Sequence, residues 1–106
     1  MNNDILKGCI HNLDASLNED TLKAFINCSL AIIDDFNSFE REAYIKKANY
    51  TDFIVDNLGI ISTISKTSKA LLLKLGPVVV KDKIKYILLI NQIIDKTRII
   101  LKRKYQ

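Results

Sequence analysis

A long apolar and basic segment at residues 78–106 constrains the fold more than any other part of the chain. It follows Gly76, which suits the left-handed residue that ends a helix, and Pro77, which cannot continue that helix but is compatible with the start of the next one. Its apolar residues recur at helical spacing, which favours one long amphipathic helix. The predicted apolar face consists of Ile87, Ile90, Ile94, Thr97 and Leu101, with Tyr86, Ile93 and Ile100 beside them. The alternative is a hairpin at residues 78–90 that turns at residues 81–83, as in a winged helical domain.

Two helices are predicted in the first third of the chain. Asn3 or Asp4 can cap a short first helix whose apolar residues lie along one side. Ser16 and Glu19 have the spacing of a capping box, which predicts that a second helix is capped by Ser16. The predicted buried face of the second helix is Leu22, Phe25, Ile26, Ser29, Ile33 and Phe36, widened by Leu30 and Ile32.

A further helix is predicted at residues 53–75, with Thr51 as its cap. Gly59 and the β-branched residues that follow it lower the helix propensity of this segment. Ser65 and Ser68 lie on its apolar side, where small side chains would let a neighbouring helix approach closely. Small residues at these positions therefore predict a tight helix-to-helix contact.

Residues 38–47 are predicted either as a separate helix, capped by Asn37 with Glu40, or as the end of a bent second helix. The chain of 106 residues has the length of one domain with one core. We therefore expect an all-α fold, a small bundle of four to five helices with a long C-terminal helix, over residues 1–106.

Charge divides the chain into two unequal halves. Residues 1–65 carry five basic and ten acidic residues, and residues 66–106 carry eleven basic and two acidic residues, so the net charges are −5 and +9. Either the halves attract each other in the fold, or the basic half faces an acidic partner. The candidate partner-binding residues are Lys66, Lys69, Lys81, Lys85, Lys96, Arg98, Lys102, Arg103 and Lys104.

No catalytic, metal or cofactor site is predicted. Cys9, His11 and Cys28 are the only soft metal ligands, and positions 9 and 11 lie on different sides of a helix, so we expect free buried thiols. Three glycines leave no phosphate-binding loop. The first residues lack an apolar run of signal length, and no segment has the length of a bilayer span, so we expect a cytoplasmic protein that is not an enzyme.

Two functions are compatible with these features. The first is a small interaction protein of the inhibitor, immunity, antitoxin or adaptor type, of the sort carried by mobile elements, because large apolar residues are in surplus for so short a chain. The same surplus predicts a homodimer. The alternative is a nucleic-acid-binding protein that uses the basic half, although three scattered arginines disfavour base-specific recognition.

Overall fold

The computed structural model describes residues 3–46 and 50–103. Within them it has four helices, α1 (Asn3–Ala15), α2 (Glu19–Lys46), α3 (Tyr50–Leu75) and α4 (Lys83–Lys102). No strand occurs in these two ranges, so the all-helical fold is confirmed. The alternative of a hairpin at residues 78–90 is wrong, because residues 78–80 have no regular structure and residues 81–82 form a turn before α4.

Polar contacts near the helix ends establish how the helices run relative to one another. The Tyr86 hydroxyl, near the start of α4, donates to Glu19 at the start of α2, and Arg103 after α4 donates to Glu40 late in α2. Helices α2 and α4 therefore run in the same direction. Near the C-terminal ends of α1 and α3, the Lys74 ammonium forms a salt bridge with the Asp14 carboxylate. Since each helix also packs on the next one along the chain, successive helices are antiparallel.

Helix α2 packs against each of the other three helices. Its predicted buried face is confirmed, since all six central residues are buried. Of the two residues predicted to widen the face, Ile32 is buried and Leu30 is half-buried. The prediction of a separate helix at 38–47 is wrong, because α2 continues without a break to Lys46. Burial of Ile33 and Phe36 just before Asn37 holds the helix together through residues whose side chains favour a cap.

The start of α2 lies two residues later than the predicted cap. The backbone N–H of Ser16 donates to the carbonyl oxygen of Asn12, so Ser16 completes the last turn of α1. Asn18 is the cap instead. Its side-chain Oδ1 accepts from the Thr21 backbone N–H at 3.0 Å, and Thr21 Oγ1 accepts from the Asn18 backbone N–H at 3.0 Å. This reciprocal pair is a capping box in which threonine replaces the usual glutamate.

Helix α3 is continuous through Gly59, as predicted, and it packs most extensively on α4. It begins at Tyr50, so Thr51 lies in its first turn and is not the cap, and Asn49 lies outside the described residues. Ser65 and Ser68 are buried, and the Ser68 hydroxyl has no hydrogen-bond partner within the described structure. Small side chains at these positions let the α3 backbone approach its neighbour, which compensates for the unpaired hydroxyl through closer packing.

The buried face of α4 is rotated from the predicted one. It consists of Tyr86, Ile90, Ile93, Thr97 and Ile100. The other three predicted positions are only half-buried or, in the case of Leu101, 40% exposed. Apolar residues surround most of this helix in sequence, so periodicity alone allows several faces, and packing against both α2 and α3 selects one of them.

The connection from α3 to α4 also differs from its prediction. The prediction of a left-handed Gly76 is wrong, because Gly76 does not have a positive φ, and the left-handed residue is Asp82, with φ 58° and ψ 32°. Aspartate is one of the few residues that tolerate this conformation. The Val78 N–H closes a turn onto Leu75, and the Lys83 ammonium donates to the Gly76 carbonyl at 2.6 Å. Helix α4 therefore starts at Lys83 and not at residue 78.

Replacement of the α2 cap should destabilise the fold. We expect Asn18→Ala to lower the free energy of unfolding by about 1 kcal/mol, because the first turn of α2 loses its side-chain acceptor. Ser16→Ala is the matched control at the position that the sequence alone favours. It should change the free energy by less than about 0.5 kcal/mol. Urea denaturation followed by circular dichroism measures both, and an equal loss in the two variants would contradict the assignment of the cap.

Candidate interaction surface

The solvent-facing side of α4 carries three large apolar residues. Ile84, Leu88 and Ile99 are 76%, 58% and 59% exposed. Ile84 and Leu88 are one turn apart, and Leu88 and Ile99 are three turns apart, so the three lie along one side of the helix over about 22 Å. This side is opposite the buried face of α4, and we call it the α4 outer face.

Basic side chains border the same surface. Lys85 and Lys96 are also three turns apart, so they follow one edge of the apolar residues, and Lys102 lies at the far end of the helix. All three are exposed. No salt bridge within the described part of the chain involves them. The α4 outer face therefore combines exposed apolar residues with lysines that form no salt bridge in the described part of the chain. The exposed Asp95, which pairs with Arg98, lies on the same side of the helix between Leu88 and Ile99.

Two of the predicted partner-binding residues are used inside the fold. Arg98 donates to Asp95 on its own helix at 2.6 Å. Arg103 donates to Glu40 of α2 at 2.8 Å, and the Glu40 side chain is only 15% exposed. A guanidinium held by a carboxylate in this way is less available to an external partner. Lys104 lies outside the described residues.

The other predicted residues lie outside α4. Lys66 lies on α3 at a cleft of about 240 Å³ between α1 and α3, which is lined by Ile10, Leu13, Asp14, Lys66, Thr67, Ala70, Leu71 and Lys74. Lys69 is exposed on α3, and Lys81 is exposed in the turn before α4. The structure thus places Lys66 and Lys69 on α3 and Lys85, Lys96 and Lys102 on the outer side of α4. Arg98 and Arg103 form salt bridges within the chain.

Part of the charge division is neutralised between the two halves of the chain. Asp14 pairs with Lys74 at 3.7 Å, and Glu40 pairs with Arg103. Both pairs join the acidic half to the basic half, which is the attraction within the fold that the charge pattern predicts. The exposed lysines of the α4 outer face remain outside these pairs.

A polar cluster joins the starts of α2 and α4, and sequence reasoning missed it. The ring of Tyr86 is buried, and its hydroxyl donates to Glu19 Oε1 at 3.1 Å, where the Lys23 ammonium also lies at 3.1 Å. The hydrogen bond from Lys23 has the largest effect and that from Tyr86 the next largest, and together they hold the pKa of Glu19 below its ordinary value. Burial, and then the bond to Glu19, raise the pKa of Tyr86. The sequence signal for this cluster was the position of Tyr86 in an apolar helix face. A tyrosine hydroxyl that is buried there needs a hydrogen-bond partner on a neighbouring helix.

Across the described ranges, no group of three or more His, Cys, Asp or Glu side chains could hold a metal ion. Asp34 and Asp35 are exposed on α2, while Glu40 is held by Arg103. None of the helices in the described ranges has the length and hydropathy needed to cross a bilayer.

Comparison with known proteins returned no similar protein: no family model, no curated protein and no solved structure matches this chain.

The Glu19 cluster should make stability depend on pH. Because the folded-state pKa of Glu19 is lowered, its contribution is present above the ordinary value of 4.5 and is lost as the pH falls through the folded-state value. We expect Tyr86→Phe to lower the urea midpoint at pH 7, where the hydroxyl bonds a carboxylate, and to lower it less at pH 3. Urea titrations of both proteins at the two pH values measure this.

The control is the same substitution in a Glu19→Gln background. There the deficit from Tyr86→Phe should be equal at pH 7 and pH 3, because no carboxylate remains to titrate. A deficit in the otherwise unchanged protein that is independent of pH would show that the hydrogen bond to Glu19 does not stabilise the fold.

Proposed function

We propose that this chain is a small helical bundle that acts by binding a protein partner through the α4 outer face, and that it is not an enzyme. The observation that supports this is the combination of Ile84, Leu88 and Ile99, each more than half exposed, with unpaired lysines along their edge. Single exposed apolar residues are ordinary, whereas here three share one side of one helix, Ile84 and Leu88 one turn apart and Ile99 three turns further along, beyond the exposed Gln92 and Asp95. The inhibitor, immunity, antitoxin or adaptor type remains our hypothesis for the class.

The chemistry of the surface indicates what the partner should present. Burial of Leu88 and its neighbours on α4 would supply the favourable free energy, at roughly 25 cal/mol per Å² of apolar area removed from water. Lys85 and Lys96 lie at the edge, where charges accelerate association and select partners more than they add affinity. A partner surface with apolar residues in its centre and carboxylates around them would match both features.

The surface would operate on a rigid support. The other side of α4 is anchored by Tyr86 at one end and by the Arg103 pair with Glu40 at the other, both to α2. A helix held at both ends keeps its outer side chains in a constant arrangement, which lowers the entropic cost of binding. The cytoplasmic location that the sequence suggests is part of the same proposal.

The direct test is capture of a partner by tagged protein in the native host. We expect the double variant Leu88→Asp, Ile99→Asp to retain less than about one tenth of the captured partner, because loss of two central apolar contacts costs more than 1.4 kcal/mol of binding free energy. Both positions are exposed, so the fold should survive, and circular dichroism checks this. Quantitative mass spectrometry of the eluates measures the captured protein.

The matched control places two aspartates on another solvent-facing helix surface, as Asn27→Asp with Ala31→Asp on α2. This control adds the same charge and should retain the partner. Equal loss in both double variants would indicate a general effect of charge, and full retention in the α4 variant would exclude the α4 outer face as the binding surface.

Nucleic acid and a second copy of this chain are the two alternative partners that we consider. Exposed lysines on α3 and α4 favour nucleic acid as the alternative partner, and they are Lys66, Lys69, Lys85, Lys96 and Lys102. The exposed apolar residues of α4 also support the proposed homodimer. The salt concentration distinguishes nucleic-acid binding from dimerisation. Binding to a polyanion weakens as the salt concentration rises. Pairing of two basic faces is opposed by the repulsion between their lysines, which salt screens, so dimerisation strengthens as the salt concentration rises.

Sedimentation velocity at low and high salt, with and without a fluorescent DNA duplex, tests both. If the five lysines bind phosphates, the logarithm of the affinity should fall with the logarithm of salt with a slope of about −4.5. If two copies pair through α4, the dimer fraction at high micromolar concentration should increase with salt. Absence of duplex binding at low salt would remove the nucleic-acid alternative, and a monomer mass at both salt concentrations would remove the dimer.

A further inference from the structure

A cleft of about 240 Å³ lies between α1 and α3. Both helices pack against α2, but within the described ranges they do not pack closely against each other, so a gap remains between them. On α3 the cleft is lined by Lys66, Ala70 and Lys74, which are one turn apart along one side of the helix. On α1 it is lined by Ile10 and Asp14, which are also one turn apart. The cleft therefore follows α3 for two turns, which is roughly 12 Å.

The floor of the cleft is apolar. Leu13 and Leu71 are buried, and Ile10 is half-buried. Ala70 contributes only a methyl group, so it leaves space that a larger side chain would fill. For comparison, an apolar cavity of about 150 Å³ in a protein core can hold a benzene molecule. The cleft between α1 and α3 therefore has room for one aromatic ring with a polar group at the rim.

The rim of the cleft is positively charged. Lys66 and Lys74 are exposed and lie at the two ends of its α3 wall. Asp14 is the one carboxylate that lines the cleft, and it lies 3.7 Å from the Lys74 ammonium, so it balances the charge of that lysine. Lys66 forms no salt bridge within the described part of the chain. One positive charge at the rim is therefore left for a ligand.

We propose that this cleft is a binding site for a small carboxylate whose apolar body has about the size of one aromatic ring. The apolar body packs on Leu13, Ala70 and Leu71, and the Lys66 ammonium donates to the carboxylate. A carboxylate carries a single negative charge, which matches the one unbalanced lysine, whereas a phosphate monoester carries nearly two. The site goes beyond the proposed function, because no residue that lines it belongs to α4.

The two parts of the ligand contribute unequally. Removal of the apolar body from water supplies most of the affinity, because it is packed on buried leucines. Lys66 is exposed, and an ion pair on an exposed lysine changes an affinity by only about threefold. The lysine therefore selects the charged ligand from a neutral one of the same shape, and the floor selects an apolar body from a bare anion.

The test is a titration of the full chain with benzoate at pH 7, followed by nitrogen–proton correlation spectra. We expect the largest shifts at the backbone amides of Ile10, Leu13, Ala70 and Leu71, with a dissociation constant on the order of 1 mM for a ligand of this size. Amides of the α4 outer face should not shift. Benzyl alcohol keeps the ring without the charge and should bind about threefold more weakly. Acetate lacks the ring and should bind at least about tenfold more weakly.

Two lysine variants test the charge of the site. Lys66→Gln should weaken the binding of benzoate by about threefold and leave that of benzyl alcohol unchanged. Lys69→Gln is the matched control, because Lys69 is exposed on the same helix and does not line the cleft. It removes the same charge from the protein and should leave the affinity for benzoate unchanged.

A third variant tests the space. Ala70→Phe places an aromatic ring where the ligand would lie and should weaken the binding of benzoate and of benzyl alcohol by at least about tenfold. Ala70 is exposed, so the fold should survive, and the dispersion of the same spectra checks this.

The proposal fails if the amides that line the cleft do not shift at about 10 mM benzoate. It fails also if benzyl alcohol binds as tightly as benzoate, or if Lys69→Gln weakens benzoate as much as Lys66→Gln does. Retention of benzoate by a folded Ala70→Phe variant would place the ligand outside the cleft and would overturn the proposal as well. None of these results bears on the binding of a protein partner by α4.

Discussion

Burial of one face of α2 is the constraint on which the rest of the structure depends. Leu22, Phe25, Ile33 and Phe36 are fully buried along a helix of 28 residues, and every other helix contacts it. Each large apolar side chain removed from water contributes about 1.5 to 3 kcal/mol, which is far more than any cap or surface ion pair in the chain. The other helices take positions that cover this face, and the polar contacts at their ends then select among the possible arrangements.

Those polar contacts explain how a chain with an acidic half and a basic half forms one unit. Glu19 and Glu40, about five to six turns apart on α2, each receive a donor from the basic half, at the two ends of α4. Asp14 and Lys74 connect α1 to α3. Pairs of this kind add little energy on an exposed surface, but they disfavour shifted or reversed placements of a helix. The basic residues left on the outer side of α4 are those available to an external partner.

The proposed binding surface on α4 combines exposed apolar residues with lysines that form no salt bridge in the described part of the chain. The lysines could be selected from the sequence because charge is visible there, although Arg98 and Arg103 proved to be partners of carboxylates within the chain. The exposed apolar residues could not, because the rotation of α4 against α2 and α3 decides which of its apolar side chains stay outside the core.

The sequence by itself determined the helical class and the buried face of α2, because apolar residues at three-and-four spacing can be buried together only on a helix. It also determined the charge division. Tertiary structure decided the rest. Apolar residues surround α4, so only its packing against α2 and α3 chose Tyr86 and Ile93 for the core and left Leu88 outside. Likewise Asn37 lies within a helix, since burial of the neighbouring Ile33 and Phe36 outweighs local preferences of about 1 kcal/mol. Asn18 replaces Ser16 as the cap, and Asp82 takes the left-handed conformation expected of Gly76.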